Sequence, residues 1–241
     1  MINELFKFYL GKTQGDEDYY LDLRKKLLVV DKYKKGQSAL FYNIINDLIE
    51  NYTNDEVQIA LIDYKDKYYT KYKKNDKLFL SIANNNDEVI EVLDLIKSIQ
   101  NARMCLMKEF NVKNIEEYNK KEVNKIPHMF IFVDEISDLI ENGHIDKLLS
   151  LINPSKCTGI NIFVGTSLLD KGKALCGKVK ASFMDRICFP VDTKEDSKLV
   201  IDEYGAENLN NGEIIVNDTL ITLNWFCCYI NMKRWVFIIW N

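Results

Sequence analysis

With 241 residues, 47% of them apolar and 28% charged, and with 3 prolines and 10 glycines, the chain can bury a sizeable core and is excluded from the disordered and fibrous classes. A net charge of −4 gives no overall attraction to nucleic acid, so any contact with DNA must come from a local basic patch. The start, MINELFKFYLGK, carries Glu4 and lacks the apolar run of a secretory signal, and no stretch of about 20 uninterrupted apolar residues is available to span a bilayer.

Short apolar runs of strand length alternate with longer segments of helical period, which predicts βα units and a largely parallel sheet. KLLVV, ending at Val30, is the first such strand. Leu40, Phe41, Ile44, Ile45, Leu48 and Ile49 then recur at one-turn spacing and predict an amphipathic helix over 38–50. VQIALID (57–63) reads as a strand, followed by a lysine- and tyrosine-rich loop at 64–77 and a further strand, LFLSIA (78–83). A long helix is expected from about Asp87 to Phe110. Asn86 or Asp87 would be its cap, and Val89, Leu93, Ile96, Ile99 and Leu106 its buried stripe. MFIFV (129–133), INIFVG (160–165), RICFPV (186–191) and EIIV (213–216) predict four more strands, with Pro190 pushing the third toward an edge or a strand end. The segment 221–240 is broken by Asn224, Asn231, Lys233 and Arg234 and reads as a terminal strand with an apolar tail. The six cysteines form no C-x-x-C pair, and His128 and His144 stand far from metal-ligand spacing with them, which reads as reduced cytosolic thiols and no structural metal.

Two stretches carry the outline of chemistry. LLVVDKYKKGQSALFYNII (27–45) runs from a strand through a loop into a helix, the plan of a phosphate cradle. That cradle needs G-x-x-x-x-G-K-[ST]. Here Asp31 stands for the first glycine and Gln37 for the lysine, leaving Gly36 and Ser38 of the key positions. MFIFVDEISDLI places Asp134 and Glu135 at the end of a buried strand, where α/β proteins bind ligands. An acidic residue there can hold Mg²⁺ while its neighbour polarises water, although acidic side chains are also favoured in a helix's first turn.

From Leu10 to about Ile230 the chain resembles the RecA-like motor domain of the FtsK/SpoIIIE DNA translocases. LGK (10–12) is similar to that family's opening segment, 27–45 falls at its phosphate loop, and LIDYK (61–65) at its second strand. NVKNIEEYNKK (111–121) matches its connector after the long helix, and VDEISDLI its acidic strand end. The stretch 158–216, with its Asp-Ser, Gly-Ala-Glu and Gly-Glu signposts, resembles the sensor strand and all that follows it. The resemblance implies an α/β fold: a RecA-like P-loop domain with a mostly parallel twisted sheet flanked by helices and extra antiparallel strands at the C-terminal end. It divides the chain into a lead-in segment (1–24), the motor-type domain (25–232) and an apolar tail (233–241).

The resemblance also implies roles. Asp31, Lys35, Gly36, Gln37, Ser38 and Ala39 would bind ATP, and Ser38 would ligate Mg²⁺ with Asp134 behind it. Glu135 would orient water, and Thr166 would act as the polar sensor, although the chain continues TSLL where the family has Gln-Arg. Arg186 would reach a neighbouring subunit's nucleotide, or else pair with a carboxylate. Lys171, Lys173, Lys178 and Lys180 would meet the phosphates of double-stranded DNA in the pore of a hexameric ring, or else form a solvated helix face. Asp31 restricts a backbone glycine would free and repels phosphate, and Gln37 cannot neutralise charge, so weakened binding and impaired or lost hydrolysis are expected. Two functions follow. One is a cytoplasmic DNA translocase-type motor subunit for segregation, conjugation or packaging of a mobile element or phage, with impaired or lost hydrolysis, in a homo- or hetero-oligomeric ring. The alternative is a pseudo-ATPase assembly or regulatory subunit, in a mixed ring with an active paralogue or acting on a protein as in type VII secretion motors.

Overall fold

The computed structural model is described here over residues 5–34, 36–66, 69–79, 82–167 and 177–223. Nine strands form one sheet in these residues, in the order β2-β1-β9-β8-β7-β3-β6-β5-β4. Its parallel centre is built from β3 (Lys26–Val30), β4 (Val57–Ile62), β5 (His128–Val133), β6 (Ile160–Thr166) and β7 (Asp185–Cys188). The rest is antiparallel: β8 (Glu213–Val216) and β9 (Thr219–Leu223) follow β7, and β1 (Lys7–Thr13) with β2 (Asp18–Asp22) closes that edge. The lead-in segment therefore completes the sheet through the pairing of β1 with β9.

The central strands are apolar without alternation because both faces are covered. Successive side chains still point to opposite sides. Leu28, Val30, Ile131, Val133, Ile162 and Val164 face one core, while Leu27, Val29, Phe130, Phe132 and Phe163 face the other. The second face is covered by α1 (Gln37–Asn51), whose Leu40, Phe41, Ile44, Ile45 and Leu48 are all buried. Phe41 meets the rings of Phe132 and Phe163 edge-on.

The first face is covered by α2 (Asn86–Glu109), which packs on α5 (Ile145–Thr158). α2 is capped by Asn85, whose side chain accepts the Glu88 N–H at 3.1 Å, one residue before the expected cap. Its stripe also turns: past Ile96 the buried positions are Gln100, Arg103 and Met107, while Ile99 and Leu106 are only half-buried. Gln100 and Arg103 are tolerated because each donates to a carbonyl of α5, Leu151 O at 2.7 Å and Thr158 O at 2.8 Å. The remaining helices are α3 (Ile115–Lys121), α4 (Ile136–Glu141), α6 (Gly177–Ser182) and α7 (Lys194–Ile201).

Of the expected strand at 78–83, Leu78 and Ala83 each meet β4 at a parallel bridge, with Ile59 and Ile62; residues 80 and 81 lie outside the described residues. The expected strand at 186–191 is shorter in the structure. β7 ends at Cys188, since Pro190 has no N–H to give to a ladder. The tail 233–241 lies outside the described residues.

Candidate functional site

Register positions the site. Val30 pairs with Thr166, Val133 with Val164, and Ile62 with Val133, so β3, β6, β5 and β4 end side by side. The residues that follow, Asp31, Ser167, Asp134 and Asp63, are brought to one edge, and all four are buried.

The phosphate loop is folded around Asp31. Its backbone N–H donates to Thr166 O at 3.0 Å, continuing the ladder of β3. Its carboxylate turns inward and is 2% exposed. Oδ1 accepts the N–H of Tyr33 at 3.1 Å, and Oδ2 accepts those of Gly36 at 2.6 Å and Gln37 at 3.0 Å. The left-handed conformation that the loop requires falls on Lys34, with φ 53°, and not on Asp31, which corrects the expected strain at that position. Gly36 is needed for space: a Cβ there would lie 2.0 Å from Cε1 of Phe189.

Gln37 opens α1 with its side chain buried. Its Nε2 donates to Asp134 O at 2.6 Å, which ties the loop to the end of β5. The contact requires Gly165 beneath it, since a Cβ at 165 would sit 1.9 Å from that nitrogen. Ser38 Oγ donates to Asp134 Oδ1 at 3.4 Å, and Ala39 is buried behind it in α1. The lysines of the loop divide. Lys32 pairs with Asp192 and Asp196 at 2.5 and 3.0 Å, whereas Lys34 brings its Nζ to 3.6 Å from Glu135 Oε2. Lys35 lies outside the described residues.

Asp134 and Glu135 are each 6% exposed. Burial, with Asp63 and Glu135 alongside, pushes the Asp134 carboxyl up to about 7, against the pull of Lys65 and Lys34. Glu135 is held by Ser167, whose backbone N–H and Oγ both donate to Oε2 at 3.1 and 2.8 Å. Its other oxygen, Oε1, is buried without a protein partner among the described residues. Asp63, Gly165 and Ser167 are the site residues that motif reading missed. Asp63 stands in the LIDYK segment, but no local pattern marks the other two.

The remaining expected residues are spread out. Thr166 is fully buried in β6. Arg186 lies in β7 opposite Leu28, back from the strand ends, and donates to Phe183 O, Val200 O and Lys180 O at 3.0 to 3.1 Å and to Asp202 at 2.6 Å. Lys180 joins it on Asp202 at 2.5 Å, and the exposed Lys178 stands 3.7 Å from Asp146. Lys171 and Lys173 lie outside the described residues.

A parallel sheet that brings a strand-loop-helix, an acid pair and a polar strand end to one edge defines a RecA-like P-loop domain. The chain belongs to the FtsK/SpoIIIE family, whose model matches residues 3–208. It is 26% identical over 226 residues to the DNA translocase FtsK of Chlamydia pneumoniae, covering 86% of this chain and 28% of that one. To the DNA translocase FtsK of Clostridium acetobutylicum it is 28% identical over 221 residues, covering 87% and 29%. It thus spans under a third of the length of these relatives. Among solved structures, the pCW3 conjugation coupling protein TcpA with ATPγS matches with a TM-score of 0.81 at 19% identity, over 96% of this chain and 72% of that one. The cytoplasmic domain of the Thermomonospora curvata type VII secretion ATPase EccC matches with 0.75 at 15%, over 90% and 28%. These two likenesses concern the fold. No helix among the described residues is long and apolar enough to cross a membrane.

Proposed function

We propose that the chain is an FtsK/SpoIIIE-type motor subunit acting on double-stranded DNA, for a mobile element or phage, with a nucleotide site that hydrolyses ATP poorly or not at all. The observation that carries this reading is the mismatch between the two halves of the site. The acidic half fits its chemistry. Ser38 and Asp134 offer a hydroxyl and a carboxylate 3.4 Å apart, and Glu135 keeps one oxygen without a protein partner among the described residues. Such hard oxygen ligands suit Mg²⁺, with Ser38 and Asp134 as the residues that would hold it. Bound there, Mg²⁺ would neutralise charge on phosphate oxygens. Ser167 holds Glu135 in one orientation, the condition for aligning a water.

The phosphate half fits badly. Where a lysine would meet the developing charge, Gln37 donates its neutral amide to Asp134 O. Loss of one such stabilising group costs about 100-fold or more in rate. Turnover in a ring, expected to be hexameric, would then come from an active paralogue. On the DNA side, Lys178 and the neighbouring 171–180 lysines are the candidates for phosphate contact.

The test has two readouts. Binding to a short duplex should weaken steeply with salt, and phosphate release with saturating duplex should match that of Glu135→Gln. DNA-stimulated turnover that Glu135→Gln abolishes would overturn the impaired site. Absence of duplex binding at low salt would favour the second reading, a pseudo-ATPase module acting on a protein partner, to which the replaced lysine also points.

A further inference from the structure

We infer that Asp31 acts as a tethered anion seated where a phosphate group would bind, and that it sets the affinity of this site for nucleotide. The inference deepens the reading above and rests on the loop being a nucleotide cradle by descent.

A phosphate cradle works because consecutive backbone N–H groups converge at a helix N-terminus and leave their protons for an anion. In this loop the convergence is present and already satisfied. The amides of Gly36 and Gln37 both point to Asp31 Oδ2, and that of Tyr33 points to Oδ1. The 15-residue helix α1 starts at Gln37, so the carboxylate also sits at the positive end of a long helix dipole. At 2% exposure it is sealed from water, and the three amides replace its hydration.

The surrounding space agrees. Between Lys34, Gln37, Ser38, Asp134 and Glu135 the centre of a water has about 10 Å³ to occupy, the room of about a single water. Gly36 cannot retreat, because Phe189 packs against its α-carbon. An incoming phosphate must therefore evict a carboxylate from the same amides. That carboxylate is held by the chain itself, so it competes at the high effective concentration of an intramolecular group. A glycine at position 31 would present no such competitor. Restoring a lysine at 37 would leave it in place.

The test is calorimetric binding of ATP with Mg²⁺ to wild type, Asp31→Ala, Asp31→Asn, Gln37→Lys and Asp31→Gly/Gln37→Lys. Far-UV circular dichroism and the melting temperature establish that each is folded. Asp31→Asn is nearly isosteric and keeps a weaker acceptor, which guards against loss of the loop. Asp31→Ala is expected to bind at least tenfold more tightly than wild type, Asp31→Asn to fall between them, and Gln37→Lys to change little. Titration of inorganic pyrophosphate into ¹⁵N-labelled Asp31→Ala should shift the amide signals of residues 36 and 37. Wild type binding as tightly as Asp31→Ala would overturn the inference and leave the nucleotide site standing, as would a gain confined to variants carrying Gln37→Lys. No binding by any folded variant, the double one included, would overturn both the inference and the reading of the loop as a nucleotide cradle.

Discussion

Gly165 shows how tightly single atoms are fitted at this edge. It lies in β6 directly under the Gln37 amide, and a Cβ there would come within 1.9 Å of Gln37 Nε2 and 2.6 Å of Asp134 O. Gly165→Ala should therefore cost about 1–3 kcal/mol, the usual cost of overpacking, read as a lower denaturant midpoint with an unchanged slope. Adding Gln37→Ala removes the side-chain clash and leaves the one with backbone. The double variant should recover part of the loss and not all of it, a coupling that additive substitutions would not show. Full additivity would mean that the two residues do not press on each other. The same crowding explains why motif reading saw the site only in part. Ser38, Asp134 and Glu135 stand out by spacing, and Gln37 by its departure from it. Asp31 reads in sequence as a charge that repels phosphate. Only the folded loop, which turns three amides onto it, makes it the loop's organising group.

At the scale of elements, α2 joins local and long-range determinants in one helix. Its start is local: Asn85 accepts the Glu88 N–H, and Glu88 Oε2 in turn accepts the Asn84 N–H at 3.0 Å. Asn85→Ala should cost about 1 kcal/mol, seen as a lower melting temperature. Its middle depends on a distant partner. Arg103 is 5% exposed, and burial brings its guanidinium down to about 10 while it donates to Thr158 O of α5. Replacing a buried charge by an apolar side chain of similar length is commonly neutral or stabilising. Arg103→Met is thus expected to leave the melting temperature unchanged or raised, and Arg103→Ala to lower it by opening a cavity; a marked loss in Arg103→Met would show that the charge itself holds α2 to α5. This division also explains what the sequence disclosed of the fold. β3, β4, β5 and β6 announce themselves because burial on both faces leaves no polar alternation, and α1 does so because its stripe is regular. The hairpin of β1 and β2 is hidden by short, half-exposed strands and by a register shift between Tyr9 and Gly11. The stripe of α2 could be followed only as far as Ile96, since the next buried positions are polar and gain their partners from α5.

On the scale of the whole molecule, the end of the sheet opposite the phosphate loop carries its own response to acid. His128 opens β5 at that end, 6% exposed, with the ring of Phe6 centred 4.7 Å away. Burial lowers its pKa to about 4, with Arg103 and Arg24 pressing the same way and Asp22 opposing them; Glu116 comes to 3.9 Å of Nε2. Its Nδ1 is buried without a hydrogen-bond partner among the described residues. The folded chain therefore holds this imidazole neutral over a range in which the unfolded chain protonates it. Between the ordinary value near 6.5 and about 4 the unfolded state binds more protons at this residue, so its contribution to stability falls as the pH falls through that window and is constant above it. A full shift of this size corresponds to about 3 kcal/mol. Carboxylates elsewhere titrate in the same range, so the informative quantity is the difference from a variant that cannot charge. His128→Gln should lose about 2–3 kcal/mol less than wild type on going from pH 7 to pH 4, as measured by urea unfolding at each pH. Parallel curves for the two proteins would show that the imidazole takes up its proton as readily in the folded chain as in the unfolded one, which its burial without a closer acidic partner than Glu116 argues against.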